Sequence, residues 1–195
     1  MTVVAMTDRE RVEALKSRAP GAVEALVEEH STGLRAAALA WGLPLADAEE
    51  TVQDALLDFL KALDRFEGRS SLKTFLYGVV YNKCLERRRK SAREQATEDV
   101  EAAFASKFGM LGVWNHLPKG PEEEAVNDEL REWIARCAEG LTLDQRAAFH
   151  LKSVEGKSTE ETCKILGVSA TNLGVLLFRG RNKLRDCLEK KWMKR

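Results

Sequence analysis

No apolar run in this sequence approaches the roughly 20 residues needed to span a bilayer, so an integral membrane protein is not expected. The N-terminal stretch Met1 to Glu10 lacks the basic-then-apolar plan of a secretory leader, and a cytoplasmic protein with no membrane insertion is the expectation. The cysteines are few and scattered. Cys84, Cys137, Cys163 and Cys187 form no Cys-x-x-Cys pair, and with His30, His116 and His150 they do not make the spacing of a usual zinc motif. They read as small buried hydrophobes in a reducing compartment, and no metal or cofactor is expected. Strand signals are nearly absent. The formal net charge is zero, so no overall field draws the chain to nucleic acid or membrane, and local patches must carry any such role.

What is present is helical periodicity. The 195 residues allow one domain or two small ones. Val23, Leu26 and Val27 start one helix. A second follows Pro44, with Asp47 placed to cap it, Glu50 to close a capping box, and Val52, Leu56, Phe59, Leu60 and Leu63 as its apolar side. A third follows Ser70-Ser71 and runs through Leu72, Phe75, Leu76, Val79, Val80 and Leu85 into Arg87-Arg-Arg-Lys90. Periodicity then fades between about 91 and 127, where Gly109, Gly112, Pro118, Gly120 and Pro121 predict a linker with short helical pieces near 100–108. Helices resume near Asp128 with Leu130, Trp133, Ile134 and Cys137, and break at Gly140. Thr142 with Gln145, and Ser158 with Glu161, predict two further capping boxes. The expected fold is all-α: two small helical domains over residues 1–92 and 128–195, joined by an acidic flexible linker over 93–127.

Charge follows the same division. Lys61 to Arg93 holds ten basic and three acidic residues; Leu173 to Arg195 holds eight basic and two acidic. Glu94 to Glu132 reverses this, with ten acidic and three basic. Two basic ends around an acidic middle suggest two separate nucleic-acid contacts. The first basic stretch, Phe66-Glu-Gly-Arg-Ser-Ser-Leu-Lys-Thr-Phe-Leu-Tyr77, interleaves aromatics, hydroxyls and cations. Single-stranded DNA requires that mixture, rings or pockets for unstacked bases and cations for phosphates. The competing reading makes Phe75, Tyr77 and Tyr81 ordinary core aromatics. The acidic helix Asp47-Ala-Glu-Glu-Thr-Val-Gln-Asp54 carries like charges on one face, which a basic partner relieves. No nucleophile, ligand histidine or phosphate loop accompanies it, so no catalytic centre is expected. In the C-terminal part, Ser158 caps one helix, Gly167 makes a turn and Ser169 caps the next, which is a helix-turn-helix pattern.

Taken together, these motifs resemble bacterial RNA polymerase sigma factors of the extracytoplasmic-function class. Asp47 to Asp54, Phe66 to Tyr77 and the Arg cluster are similar to sigma domain two; Leu141-Thr-Leu-Asp-Gln-Arg146, Glu155 to Glu161 and Leu166-Gly-Val-Ser169 are similar to domain four. The resemblance implies an alternative sigma factor, not an enzyme. Asp47, Glu50, Gln53 and Asp54 would then dock the beta-prime clamp helices of core polymerase, with the beta flap as a further contact. Phe66, Arg69, Ser70, Ser71, Lys73, Thr74, Phe75 and Tyr77 would capture the melted minus-ten strand beside Asn82, Arg87, Arg88 and Arg89. Ser169, Thr171, Asn172, Gly174, Val175, Phe178, Arg179, Arg181 and Lys183 would meet duplex DNA at minus thirty-five. Gly174 and Leu176 stand where members of this class often carry Lys and Arg. An anti-sigma factor is a further expected partner. Two other readings stay open at this stage: a stand-alone helix-turn-helix regulator and a helical adaptor with no DNA role.

The last helix has an unusually apolar middle, Leu173-Gly-Val-Leu-Leu-Phe178. At about 100° per residue, Leu177, Gly180, Leu184, Cys187 and Leu188 share the side of Leu173, while Val175 and Phe178 point away from it. Those two outward apolar side chains are expected to face thymine methyls, with an anti-sigma factor as the rival occupant.

Overall fold

The structure, a computed structural model, describes residues 6–95 and 133–192. Among them there is no strand, and no helix is long and apolar enough to cross a membrane. The predicted helical pieces near 100–108, the start of the helix at Asp128 and most of the linker lie outside the described residues.

The N-terminal half holds four helices: α1 (Asp8–Lys16), α2 (Ala22–Ala40), α3 (Leu45–Lys61) and α4 (Leu72–Gln95), with a 3-10 turn at Leu63–Arg65 before α4. Helix α1 is an addition to the sequence reading, and Thr7 and Glu10 close its capping box. On α3 the buried set is Ala48, Thr51, Val52, Ala55, Leu56 and Phe59, the recurrence at three and four that turns one stripe inward. The predicted cap at Asp47 is corrected. Pro44 is the N-cap residue, its extended backbone starts the helix, and Asp47 lies inside the first turn, where it complements the helix dipole. On α2 only Leu26 of the predicted trio is buried; Val23 and Val27 are exposed. Ser71 Oγ accepts the Thr74 amide at 3.1 Å and so starts α4, which runs three residues beyond the expected domain boundary.

The C-terminal half begins with α5 over residues 133–138, followed by α6 (Leu143–Ser153), α7 (Thr159–Leu166) and α8 (Ala170–Trp192). Both predicted capping boxes are present, Thr142 with Gln145 and Ser158 with Glu161. Gly167 takes a left-handed φ of 65°, the conformation that ends α7 and that side chains with a Cβ disfavour. Ser169 Oγ accepts the Asn172 amide at 3.2 Å and caps α8. Leu173 and Leu184 are buried, whereas Val175 and Phe178 are exposed.

The two halves share one core. Leu34, Trp41, Phe59, Leu76 and Val80 from the first half are continuous with Leu143, Leu151, Ile165 and Leu173 from the second. Truncating Leu34, which is 1% exposed in the middle of α2, should destabilise the protein strongly. Leu34→Ala is expected to lower the unfolding free energy by about 2–5 kcal/mol, measured by urea denaturation.

The cysteine expectation is corrected in part. Cys84 is buried and unpaired as expected, and Cys163 is half-buried. Cys137 and Cys187, however, form a disulfide across 50 residues of sequence. The α6–α7–α8 fold carries the end of α8 back to α5, a proximity that the linear spacing does not show.

Candidate nucleic-acid interface

Three groups of predicted partner-binding residues take distinct positions. The first is the outer arc of α3. Glu50 and Gln53 are exposed there, with Asp47 and Asp54 half-exposed beside them. Arg87 reaches across from α4 to Glu50 at 2.9 Å and to Asp47 at 3.5 Å. Lys83, one turn earlier on α4, pairs with Asp58 at 2.6 Å and holds its carboxyl below the usual range. Asp54 has no ion pair among the described residues. The acidic arc and the basic end of α4, expected on surfaces for different partners, are thus directly joined.

The second group spans the loop before α4 and the first half of that helix. Phe66 and Phe75 are half-buried and pack against Phe59, with ring centroids 5.1–5.7 Å apart. Arg69, Ser71, Lys73 and Asn82 are exposed, as are Arg88 and Arg89, and Ser70 is half-exposed. Thr74, Tyr77 and Tyr81 are buried, the tyrosines between Trp41 at the end of α2 and the second half of the chain. Helix α4 has two inward faces. Leu72, Leu76 and Val80 face α2 and α3, while Thr74, Tyr77 and Tyr81 lie about 140–200° round the helix from Leu72.

This second face meets α6 and α7. Tyr81 Oη donates to Asp144 Oδ1 at 2.7 Å. Thr74 Oγ1 donates to Glu161 Oε1 at 3.3 Å, and Lys164 Nζ reaches the Arg69 carbonyl at 3.5 Å. Lys73 approaches Glu155 at 3.7 Å, and both Lys73 and Lys157 sit over the Tyr77 ring. Trp41 is the hub: its ring stands edge-on to Tyr77, Tyr81 and His150, with centroids 5.8–6.3 Å apart. At Gly78 the α4 backbone runs against α7; a Cβ there would lie 3.8 Å from the Ile165 carbonyl oxygen. Burial, then the Asp144 hydrogen bond, pushes the Tyr81 phenol well above its ordinary range. The segment matched to minus-ten capture therefore lies against the helix-turn-helix half, and the two halves form a closed seam.

His150 makes that seam acid-sensitive. Burial lowers its pKa from 6.5 to about 4, opposed by the nearby Glu155 carboxylate. Closure needs the neutral ring, so it is unaffected above the ordinary value and weakens as the pH falls from 6.5 toward about 4. Glu161, held down at about 2 chiefly by the Ser158 backbone, does not titrate in that window. The ratio of closed to open protein is expected to fall by up to about tenfold per pH unit in that window, read by energy transfer between dyes on the two halves. His150→Phe should flatten this dependence.

The third group is the outer face of α8. Thr171, Asn172, Gly174, Val175, Phe178, Arg179, Arg181 and Lys183 are all exposed, behind the cap residue Ser169. Phe178 is 68% exposed, a large ring with little covering it. A Cβ at Gly174 would meet nothing within 4 Å, so packing does not require the glycine. Its absent side chain leaves a flat strip where another molecule can approach the α8 backbone closely. Sequence reasoning missed the seam-forming residues Trp41, Asp144, His150 and Glu161. The signal available was the width of the apolar arc on α4, too wide for one interface.

Comparison with known proteins finds two separate matches along the chain. Residues 26–94 match the model of Sigma-70 region 2, and residues 131–184 match that of Sigma-70, region 4. The ECF RNA polymerase sigma-E factor of Escherichia coli strain K12 is 30% identical over 142 residues, covering 73% of this chain and 74% of that protein. The sigma-E factor of Salmonella typhimurium strain LT2 is 29% identical over the same length. Among solved structures, the sigma factor RpoE of Bartonella quintana, in complex with the anti-sigma factor NepR, has a TM-score of 0.65 at 24% identity. It covers 87% of this chain and 98% of its own. CnrH in complex with the cytosolic domain of CnrY has a TM-score of 0.64 at 23% identity, covering 94% and 97%. Two region matches in the right order and a relative aligned along most of both chains make this protein a member of the sigma-70 family, in the extracytoplasmic-function class of RNA polymerase sigma factors.

Proposed function

We propose that this protein is an alternative sigma factor that docks on core RNA polymerase, opens a small set of promoters, and has no catalytic centre of its own. The observation that carries this reading is the placement of two basic, DNA-compatible surfaces on separate halves, with an acidic arc on α3 between α2 and α4. Duplex readout by α8 and capture of splayed bases by the Phe66–Tyr77 segment would be simultaneous on a promoter. Capture then offsets the cost of opening the duplex. The site of action is the cytoplasm, where the polymerase works.

The closed seam adds a regulatory element. Thr74 and Tyr77 are buried at the seam, Thr74 against Glu161 and Tyr77 under Lys157, so single-stranded DNA gains access to them only after the halves part. An anti-sigma factor that binds the closed form would hold the protein inactive. The Bartonella quintana sigma factor structure is named as a complex with an anti-sigma factor, and the same class of partner is proposed here.

In vitro transcription tests the reading. Core polymerase plus this protein should initiate at a promoter upstream of its own operon, and core polymerase alone should not. No initiation at any such promoter, with anti-sigma factor absent, overturns it. A stand-alone regulator would instead bind duplex DNA without polymerase and give no initiation.

Base preference is expected to depend on the outward apolar face of α8. Val175, 40% exposed, would touch thymine methyls while Arg179, Arg181 and Lys183 hold phosphates. Val175→Ala should change preference at one minus-thirty-five position by roughly 1–3 kcal/mol, read by competition binding with single-base variants. Unchanged preference with weakened anti-sigma binding would assign this face to the anti-sigma factor.

A further inference from the structure

We propose that Cys137 and Cys187 form a reversible thiol–disulfide site on the helix-turn-helix half, closed by hydrogen peroxide and reopened by a dithiol reductant. The two Cα atoms lie 5.8 Å apart although 50 residues separate them in sequence, a span that a bridge needs. The inference rests on the reading of the chain as a polymerase partner working in a reducing compartment, where a protein disulfide is transient and responsive.

The surroundings suit such a site. Cys137 is buried, whereas Cys187 is half-exposed and so is the sulfur an oxidant reaches first. Lys183 and Lys190 lie four residues before and three after Cys187 on α8, on the same side of the helix. The thiolate is the reacting form of a cysteine. Cys84 contrasts with this: it is fully buried, its thiol is pushed up to about 12 by burial, and it offers no competing nucleophile. Cys163 is half-buried, packs against the main core and has no disulfide.

The chemistry balances within the pair. The Cys187 thiolate attacks one peroxide oxygen, the O–O bond breaks, and the hydroxide released takes a proton to leave as water. Cys187 is then a sulfenic acid. The Cys137 sulfur attacks the Cys187 sulfur, the S–O bond breaks, the S–S bond forms, and a second water leaves. Two electrons pass from the sulfurs to peroxide. A dithiol reverses this through a mixed disulfide and ends as its own disulfide.

Location decides the consequence. The bridge sits in a small apolar cluster with Leu141 and Leu184, separate from the main core. The recognition half of α8 is anchored elsewhere, through Leu173 in the main core. Oxidation therefore fastens the lower half of α8 to α5, next to the linker. Reduction leaves that end held by the small cluster alone, and base readout keeps its support.

The test uses the full chain, reduced or treated with hydrogen peroxide, then denatured and alkylated. Oxidation should protect two thiols and yield a Cys137–Cys187 linked peptide. On the native protein, trypsin should cut the lower half of α8, at Lys183, Arg185 and Lys190, about fivefold or more faster in the reduced form. Cys187→Ser should remove this difference, and Cys163→Ser should keep it. Four alkylatable thiols after peroxide, a linked peptide containing Cys84 or Cys163, or a redox difference surviving in Cys187→Ser would each overturn the proposal. None of these measurements requires polymerase, so their failure is distinct from failure of the sigma-factor reading.

Discussion

Gly78→Leu is expected to part the two halves of the protein. A Cβ at this position would lie 3.8 Å from the Ile165 carbonyl oxygen and 3.9 Å from its Cα. Alanine would just touch α7; leucine adds three further heavy atoms at a position already in contact with the α7 backbone. Backbone cannot move aside as the end of a side chain can, so α4 and α7 must separate. Each half retains apolar contacts of its own: α3 on α2 and α4 in one, α6 on α8 in the other. Helicity should therefore be nearly unchanged while small-angle scattering shows a larger radius of gyration. Trp41, 1% exposed at the seam, should become more accessible to a soluble quencher. Initiation should rise several-fold under conditions where closure limits it, because closure reduces apparent affinity by the fraction of protein that is open. An unchanged radius of gyration with normal helicity would show that the seam is not what holds the halves together.

Asp54→Lys is expected to weaken polymerase docking by at least about tenfold, the equivalent of 1.4 kcal/mol. Asp54 lies on the outer arc of α3, half-exposed and without an ion pair among the described residues. Its neighbours on that arc differ: Asp47 and Glu50 hold Arg87, and Asp58 holds Lys83. Reversing Asp54 therefore removes charge offered to a partner and breaks no ion pair inside the protein. Thermal unfolding should shift by only a few degrees, as is usual for surface substitutions. Equal loss of stability and docking would show that the residue acts through the fold. Undiminished docking with intact folding would remove Asp54 from the polymerase surface.

Local signals in the sequence predicted local structure well. Thr142 with Gln145 and Ser158 with Glu161 are capping boxes in the chain as in the sequence, because a cap is decided within four residues. The division of α8 into an inward stripe and outward Val175 and Phe178 also followed from helical angle alone. Long-range structure was less legible. Tyr77 and Tyr81 were open to two readings, DNA contact or core, and what buries them is distant in sequence: Trp41 at both rings and Asp144 at Tyr81. The disulfide was missed for the same reason: Cys137 on α5 and Cys187 on α8 meet only through the packing of the two intervening helices. Asp47 was misplaced as a cap because Pro44, three residues earlier, already supplied the extended backbone that begins a helix.

Arg87 has a thermodynamic consequence. Its guanidinium is engaged by Glu50 at 2.9 Å and Asp47 at 3.5 Å, and five donors do not serve two opposing sets of anions at full strength. A phosphate that draws Arg87 away leaves two carboxylates unneutralised and more attractive to a basic polymerase surface. A polymerase that takes over those carboxylates releases Arg87 to a phosphate. With polymerase on the carboxylates and DNA on Arg87, as proposed, the two ligands would raise each other's affinity, and by linkage the factor would be the same in both directions. On the proposed assignments, this one side chain would make core polymerase and promoter DNA cooperative ligands, without any change of fold between their sites.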